Sequence, residues 1–263
     1  MVYKAFTEAK IIITGAGSGI GKELVGQLQE SKPQILAVDF DSNKLWELRE
    51  EFPEISTLLV DLSEKSGNKK ILDWVKVNWD RVDFCFANAG KAEFGPNKDQ
   101  NWGEMDKLFQ LNVHSPIQLG YMLKEAFPHH PYRHIITASA MAYWPIPGYS
   151  LYGATKSALL QWARTLWAEK TGSWLSLVFP IATKTAFFET AGKDVPQAWP
   201  RQTAEWVASE TLRGAAKGKK RIYPSKLFFF MLIITRFLRF LKRIVAMIEY
   251  RRYKNWLEKQ SES

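Results

Sequence analysis

Residues 11–14, 35–38, 57–60, 84–87, 134–138 and 175–178 are short runs dominated by apolar side chains. Such runs show no polar alternation, so each reads as a strand buried on both faces. Between them, residues 22–30, 44–51, 69–78, 102–126 and 151–170 carry apolar and charged positions at helical spacing. Strand and helix therefore alternate, which predicts an α/β protein with a doubly wound parallel sheet covered by helices on both faces. In such folds ligands bind at the loops that follow the carboxyl ends of the strands. The positions where the pattern stops are thus where chemistry is sought.

The first strand runs into Thr14, Gly15, Ala16, Gly17, Ser18, Gly19, Ile20 and Gly21, and a helix follows. Small residues there let backbone N–H groups approach a diphosphate, and the helix dipole favours its charge, so Gly15, Ser18, Gly19, Ile20 and Gly21 are candidate cofactor contacts. The second strand ends at Asp39, 18 residues past Gly21. Its carboxylate would accept from the adenosine ribose hydroxyls and repel a 2′-phosphate. Neither the turn nor Phe40 and Asp41 supplies an Arg or Lys for such a phosphate, which favours NAD over NADP. The alternative is that Asp39 only opens a turn with Asp41 and Ser42.

Within the helix at 151–170, Lys156 follows Tyr152 by four residues, so the two project from one face. A phenol with a pKa near ~10 is a weak base at neutral pH unless its phenolate is stabilised. One positive charge at about 6 Å and an effective dielectric of about 20 is worth about 3 kcal/mol, or about two pK units. Lys156 is therefore expected to draw Tyr152 toward a useful range. Ser139 closes the fifth strand, 13 residues before Tyr152, and its hydroxyl is placed to hold a substrate oxygen.

The turn does not fit G-x-G-x-x-G, because Ile20 stands where the third glycine would fall. It reads T-G-x-x-x-G-x-G. With Asp39, the Asn88-Ala89-Gly90 triplet, Ser139 and the Tyr152/Lys156 pair, it resembles the short-chain dehydrogenase/reductase family over about residues 8–224. The resemblance implies a Rossmann-type dehydrogenase domain in residues 1–224 and NAD(H) contacts at Asp61, Leu62, Asn88, Ala89, Gly90, Tyr152 and Lys156. It implies Asn112 as the holder of a water that relays protons from Lys156, and Thr185 as a contact of the nicotinamide carboxamide. Ile181 departs from the family's P-G-x-x-x-T pattern, since glycine is usual at that position. It further implies a homodimer or homotetramer through the helices beginning near Trp102 and Leu151.

Net charge changes the picture only at the carboxyl end. The chain carries +9, but from Lys217 onward there are 13 Lys and Arg against three Glu, so the body is close to neutral and the tail is basic. Nucleic acid is a poor fit, because the body offers no basic patch. Residues 225–263 read as an amphipathic helical extension. Arg236, Arg239, Lys242 and Arg243 fall on one side of a helix, and Phe237, Leu241, Ile244, Val245 and Ile248 on the other. That pattern suits a peripheral contact with an anionic membrane surface, whereas packing on a second subunit or back over the active site are the alternatives. The apolar run at 227–234 is too short to span a bilayer.

Residues 184–200 read as a substrate lid bearing Phe187, Phe188, Val195 and Trp199, which suits a hydrophobic small-molecule substrate. Membrane-associated relatives acting on 3-keto sphingoid bases, long-chain or steroid-like carbonyls look similar. The expected activity is an NAD(H)-dependent exchange between a secondary alcohol and a ketone at the inner face of a membrane. The rivals are a soluble 3-oxoacyl-thioester reductase and a non-catalytic NAD-binding sensor. The single cysteine, Cys85, lies in a core run and points to the cytoplasm. His114, His129, His130 and His134 lack metal-ligand spacing and read as surface or turn residues, so no metal is expected.

Overall fold

The structure, a computed structural model, describes residues 4–96, 101–185, 187, 195–196, 200–238 and 240–261. Its strands are β1 (Lys10–Thr14), β2 (Gln34–Asp39), β3 (Ser56–Leu59), β4 (Phe84–Ala87), β5 (Arg133–Thr137), β6 (Leu175–Val178), β7 (Thr183–Lys184), β8 (Gln202–Thr203) and β9 (Arg221–Ile222). Its helices are α1 (Gly19–Leu28), α2 (Ser42–Glu51), α3 (Gly67–Asn78), α4 (Trp102–Phe109), α5 (Ser115–Ala126), α6 (Ser150–Ala168), α7 (Ala204–Ala216), α8 (Lys226–Phe237) and α9 (Phe240–Ser261). Seven strands make one parallel sheet in the order β3-β2-β1-β4-β5-β6-β9, and β7 pairs with β8 beside it.

Side chains of β1 show why the runs are apolar throughout. Ile11 and Ile13 point to the face covered by α1 and α7, where they meet Leu24, Val25, Leu28, Ala208 and Leu212. Ile12 points to the other face, with Ile71 and Val75 of α3 and Leu119 and Leu123 of α5. Farther along that face, Leu159, Leu160 and Ala163 of α6 cover Ile136, Leu175 and Leu177. Each fully buried Leu or Ile stabilises the fold by about 1.5–3 kcal/mol, which keeps both helical layers in place. The strand order reverses between β1 and β4. A crevice opens there at the carboxyl ends of the strands.

Three expectations change. The stretch 102–126 is α4 and α5 joined by a π-helical turn over Gln110–His114, with Pro116 in the first turn of α5. Proline removes a helical N–H, and the wider turn accommodates the local break in the ladder. His134 is fully buried, bonded to the Pro116 carbonyl at 2.8 Å and to the Tyr132 hydroxyl at 2.7 Å, so it is a core residue and not a surface one. The tail is two helices broken at Leu238 (φ −102, ψ 73), so the bases and apolar residues assigned to one helix do not share a single axis. Cys85 is buried as expected. Among the described residues no helix is long and apolar enough to cross a membrane, and no cluster of three metal-ligating side chains occurs.

Candidate active site

A cavity of about 510 Å³ occupies the crevice. One end is walled by the glycine turn, Asp39, Asp61 and Leu62, the middle by Ser139, Tyr152 and Lys156, and the other end by α8 and α9.

Glycine is required at the turn for two separate reasons. Gly15 has φ +64, and a Cβ on it would lie 2.9 Å from the Ala89 Cα. A Cβ on Gly21 would run into the Gly15 carbonyl. The hydroxyl of Thr14, buried at the end of β1, accepts from the N–H groups of Asn88 and Ala89, each at 3.1 Å. Asn88 in turn accepts from the Thr137 hydroxyl at 3.1 Å and donates to the Gly15 carbonyl at 3.4 Å. The ends of β1, β4 and β5 are thereby tied into one rim. Ser18 sits at the N-cap of α1 but makes no capping hydrogen bond with its side chain. Among the described residues no side chain caps the first-turn amides of α1, which could therefore receive an anion.

Asp39 accepts from Gly17 N–H at 2.8 Å and from Asp41 N–H at 3.2 Å, so it both braces the turn and starts the next one. Asp41 caps α2 through Asn43 and Lys44 N–H. Asp61 accepts from the Ser63 backbone and hydroxyl, and Leu62 is buried in the wall beside it. A glycine cradle that a Cβ would fill, an open helix N-terminus and a carboxylate at the end of β2 fit a dinucleotide. One member was missed in the sequence: Lys44 of α2 lines this end, with its ammonium 3.8 Å from the Asp41 carboxylate. It escaped notice because it lies on the helix after the turn, not in it.

Tyr152 and Lys156, both on α6, are buried, and the lysine Nζ lies 5.6 Å from the centroid of the phenol ring. Lys156 donates to the Thr137 carbonyl at 2.9 Å, which aims it at the rim of β5. Ser139 follows β5, accepts from Met141 N–H at 3.1 Å and shares a hydrogen bond with Tyr152. The anticipated downward shift of Tyr152 is corrected here. Burial pushes the phenol up to about 12, opposed only by the Ser139 hydrogen bond, and burial pushes Lys156 down to about 8. Removing water disfavours both charged forms. At neutral pH the Tyr152 phenol is therefore neutral.

Asn112 lies on the π-helical turn and is buried. Its side chain is committed to protein groups: it donates to the Lys91 carbonyl at 2.9 Å and the Thr155 hydroxyl at 3.2 Å, and accepts from Lys91 N–H at 3.0 Å. Thr155 donates to the Tyr152 carbonyl at 2.7 Å. Asn112 thus holds the Gly90-Lys91 segment against α6, and a Cβ on Gly90 would come within 3.1 Å of its Oδ1 and 3.6 Å of Lys156 Nζ. Thr185 reaches the cavity opposite Gly19 and accepts from Phe187 N–H at 3.3 Å. Ile181 adopts no positive φ, so the chain arrives there without glycine.

The far end is built from segments distant in sequence. Phe187 and Val195 of the anticipated lid pack with Tyr149 and Tyr152, whereas Phe188 and Trp199 lie outside the described residues. Leu227, Phe228 and Met231 of α8 and Val245 and Glu249 of α9 complete the wall. Farther along α9, Trp256 stacks edge-on against Phe94 at 4.8 Å, and Phe94 meets Tyr149 at the same distance. The carboxyl-terminal helices therefore fold back over the site. Their signal was the 245, 249, 253, 256 spacing on one helix face.

Known proteins place this geometry. The family model described as short chain dehydrogenase matches residues 9–195. An uncharacterized oxidoreductase, DltE, of Bacillus subtilis is 26% identical over 164 residues, covering 61% of this chain and 65% of its own. The chain thus aligns with just under two thirds of that relative's length. The 17-beta-hydroxysteroid dehydrogenase 13 of Mus musculus is 26% identical over 233 residues, covering 84% of this chain and 75% of its own. Among solved structures, a short-chain dehydrogenase from Sphingobium yanoikuyae in complex with NADPH superposes with a TM-score of 0.75 at 22% identity, covering 91% of this chain and 95% of that one. A short-chain dehydrogenase/reductase from Burkholderia phymatum in complex with NAD superposes with a TM-score of 0.77 at 18% identity, over 90% and 96%. These likenesses show a shared fold, and the matched stretch runs from β1 past Tyr152 and Lys156 to the wall at Val195: the chain belongs to the short-chain dehydrogenase family.

Proposed function

We propose that this protein is an NAD(H)-dependent oxidoreductase that interconverts a secondary alcohol and a ketone on a hydrophobic substrate. The observation that carries the reading is the single cavity in which the glycine turn and Asp39 stand at one end and Ser139, Tyr152 and Lys156 face the other. A bound nicotinamide dinucleotide supplies the hydride that no side chain here can. Gly15, Ser18, Gly19, Ile20 and Gly21 would hold its diphosphate, Asp39 its ribose, Asp61 and Leu62 the adenine side, and Asn88, Ala89, Gly90, Lys156 and Thr185 the nicotinamide half.

The protein's own part is positional and protonic. Ser139 orients the substrate oxygen beside the phenol, Tyr152 gives that oxygen a proton in reduction and takes it in oxidation, and Lys156 offsets the charge of the phenolate. The apolar wall excludes water from this exchange. Asp39 supports NAD, and Lys44 is the residue that would favour NADP. Tighter binding of NADPH than NADH by the purified chain overturns that preference.

The substrate class and the site of action rest on the tail. Leu227, Phe230, Phe237, Phe240, Met247 and Ile248 are exposed, and Arg236, Arg243 and Arg251 are exposed among them. Exposed apolar side chains with interspersed bases suit an anionic bilayer that also delivers the substrate. Reduction of long-chain or steroid-like ketones with NADH, raised by anionic vesicles that the protein floats with, is the expected result. A protein that stays in the dense fraction beside such vesicles and dimerises through α8 and α9 instead would overturn the membrane reading. Assembly as a dimer or tetramer through α4 and α6 is proposed from the family alone, with sedimentation as its check. NADH binding without turnover of any carbonyl favours a sensor.

A further inference from the structure

The substrate half of the cavity is mostly hydrocarbon and aromatic ring, its polar points being the Trp144 indole N–H, the Ser225 hydroxyl and one carboxylate. Met141, Trp144, Phe228, Met231 and Val245 line it, and Glu249, one turn beyond Val245 on α9, sets a carboxylate among them. Glu249 is the one charged side chain there among the described residues; the other charged lining groups, Asp39, Lys44, Asp61 and Lys156, belong to the cofactor end or the catalytic centre. Its side chain is 12% exposed. Arg252, more exposed on the outer side, donates to Oε1 at 2.7 Å, and no other hydrogen bond to this carboxylate is present among the described residues.

A carboxylate has about four acceptor positions, and the bond from Arg252 fills one of them. Here the stripe of Val245, Glu249, Tyr253 and Trp256 turns inward, anchored through Phe94 to Tyr149. The charge of Glu249 is felt at Tyr149, whose ring centroid is 6.2 Å from that of Tyr152. Glu249 thus lines the same chamber as the reacting centre.

We propose that Glu249 is a polar subsite of the substrate cavity that accepts a hydrogen bond from a neutral hydroxyl carried by the substrate away from its reacting carbon. This rests on the alcohol-ketone reading above. Charge decides the chemistry of the donor. Arg252 already compensates Glu249, and Arg243, Arg251 and Lys254 lie on the same helix, so a ligand ammonium would enter a region of excess positive charge. A phosphate or carboxylate head would meet the Glu249 carboxylate directly. A hydroxyl fills the open acceptor without changing the charge. The substrate class is therefore an apolar ketone or alcohol with a second, unreactive hydroxyl.

The test uses the full chain, NADH or NADPH, and long-chain ketones that differ only in one hydroxyl placed at successive distances from the carbonyl. One hydroxylated isomer is expected to exceed the plain ketone about tenfold or more in kcat/KM. Glu249→Gln, which keeps an acceptor, retains most of that ratio, and Glu249→Met brings it close to one. The double variant Glu249→Met with Arg252→Met leaves no unpaired guanidinium and gives the same loss in a folded protein. No preferred isomer, or a preference that survives in the double variant, overturns the subsite alone. Absence of turnover on every ketone overturns the oxidoreductase reading together with it.

Discussion

The two ends of the cavity are built by different means. At the cofactor end the wall is mostly backbone and small or short side chains held at the ends of β1, β2 and β4, with Thr14, Asn88 and Thr137 bonded across three strands. At the substrate end the wall is long side chains from the segment after β5, the segment after β7 and the helices α8 and α9. The first kind of wall is rigid because it shares the hydrogen bonds of the sheet, and one added methyl group is felt at once. The second is set by packing of rings and aliphatic chains, which tolerate substitution and so tune what fits. A fixed grip on the invariant reactant and an adjustable grip on the variable one is the division the fold makes possible.

That contrast is broken or sharpened by four measurements, ordered by size of effect. Tyr152→Phe, at the junction, should lower kcat about 10²- to 10⁴-fold by removing the proton donor, with NADH affinity unchanged; unchanged turnover sinks the proposed chemistry. Acid stability separates the scaffold from both ends. Burial holds His134 down to about 4, so between about pH 6.5 and 4 the unfolded chain takes up a proton that the folded chain refuses. Stability is therefore lost as pH falls through that window, by about 3 kcal/mol, and urea titrations of the wild type and His134→Gln at pH 7 and 4.5 should show a smaller acid loss in the variant.

Gly15→Ala should act on the cofactor end alone. The positive φ and the contact with Ala89 cost about 2–3 kcal/mol, read as weaker NADH binding and a lower Tm. Normal NADH affinity in this variant would mean the cradle does not touch the dinucleotide. Val245→Ala should act on the substrate end alone, lowering kcat/KM for a bulky ketone about fivefold while the NADH Kd stays put. An equal change in NADH binding would erase the distinction between the two ends.

The cofactor end was legible because its chemistry is local. A glycine turn after the first strand, an acid at the end of the second and Tyr152 four residues before Lys156 are each contained in one short segment, and each falls where the structure places it in the cavity wall. Lys44 escaped because a helix turn carried it back beside Asp39. The direction of the Tyr152 shift also escaped, since desolvation depends on what surrounds the phenol and not on its distance to one lysine. Asn112 was found by its place in order, but its bonds to Lys91 and Thr155 need the π-helical turn that periodicity read as plain helix.

The amino-acid sequence by itself determined the alternation of strand and helix, the parallel sheet and the pairing of Tyr152 with Lys156 on one helix face, because periodicity, glycine and four-residue spacing act within one element. Only the tertiary structure decided the course of the tail. Its bases and apolar positions read as one helix, yet the chain breaks at Leu238 and brings Val245 and Glu249 to the cavity some hundred residues from Tyr152 in sequence. Which face of such a helix turns inward follows from the rings it meets, Phe94 and Tyr149 here, and that is a property of packing between distant segments.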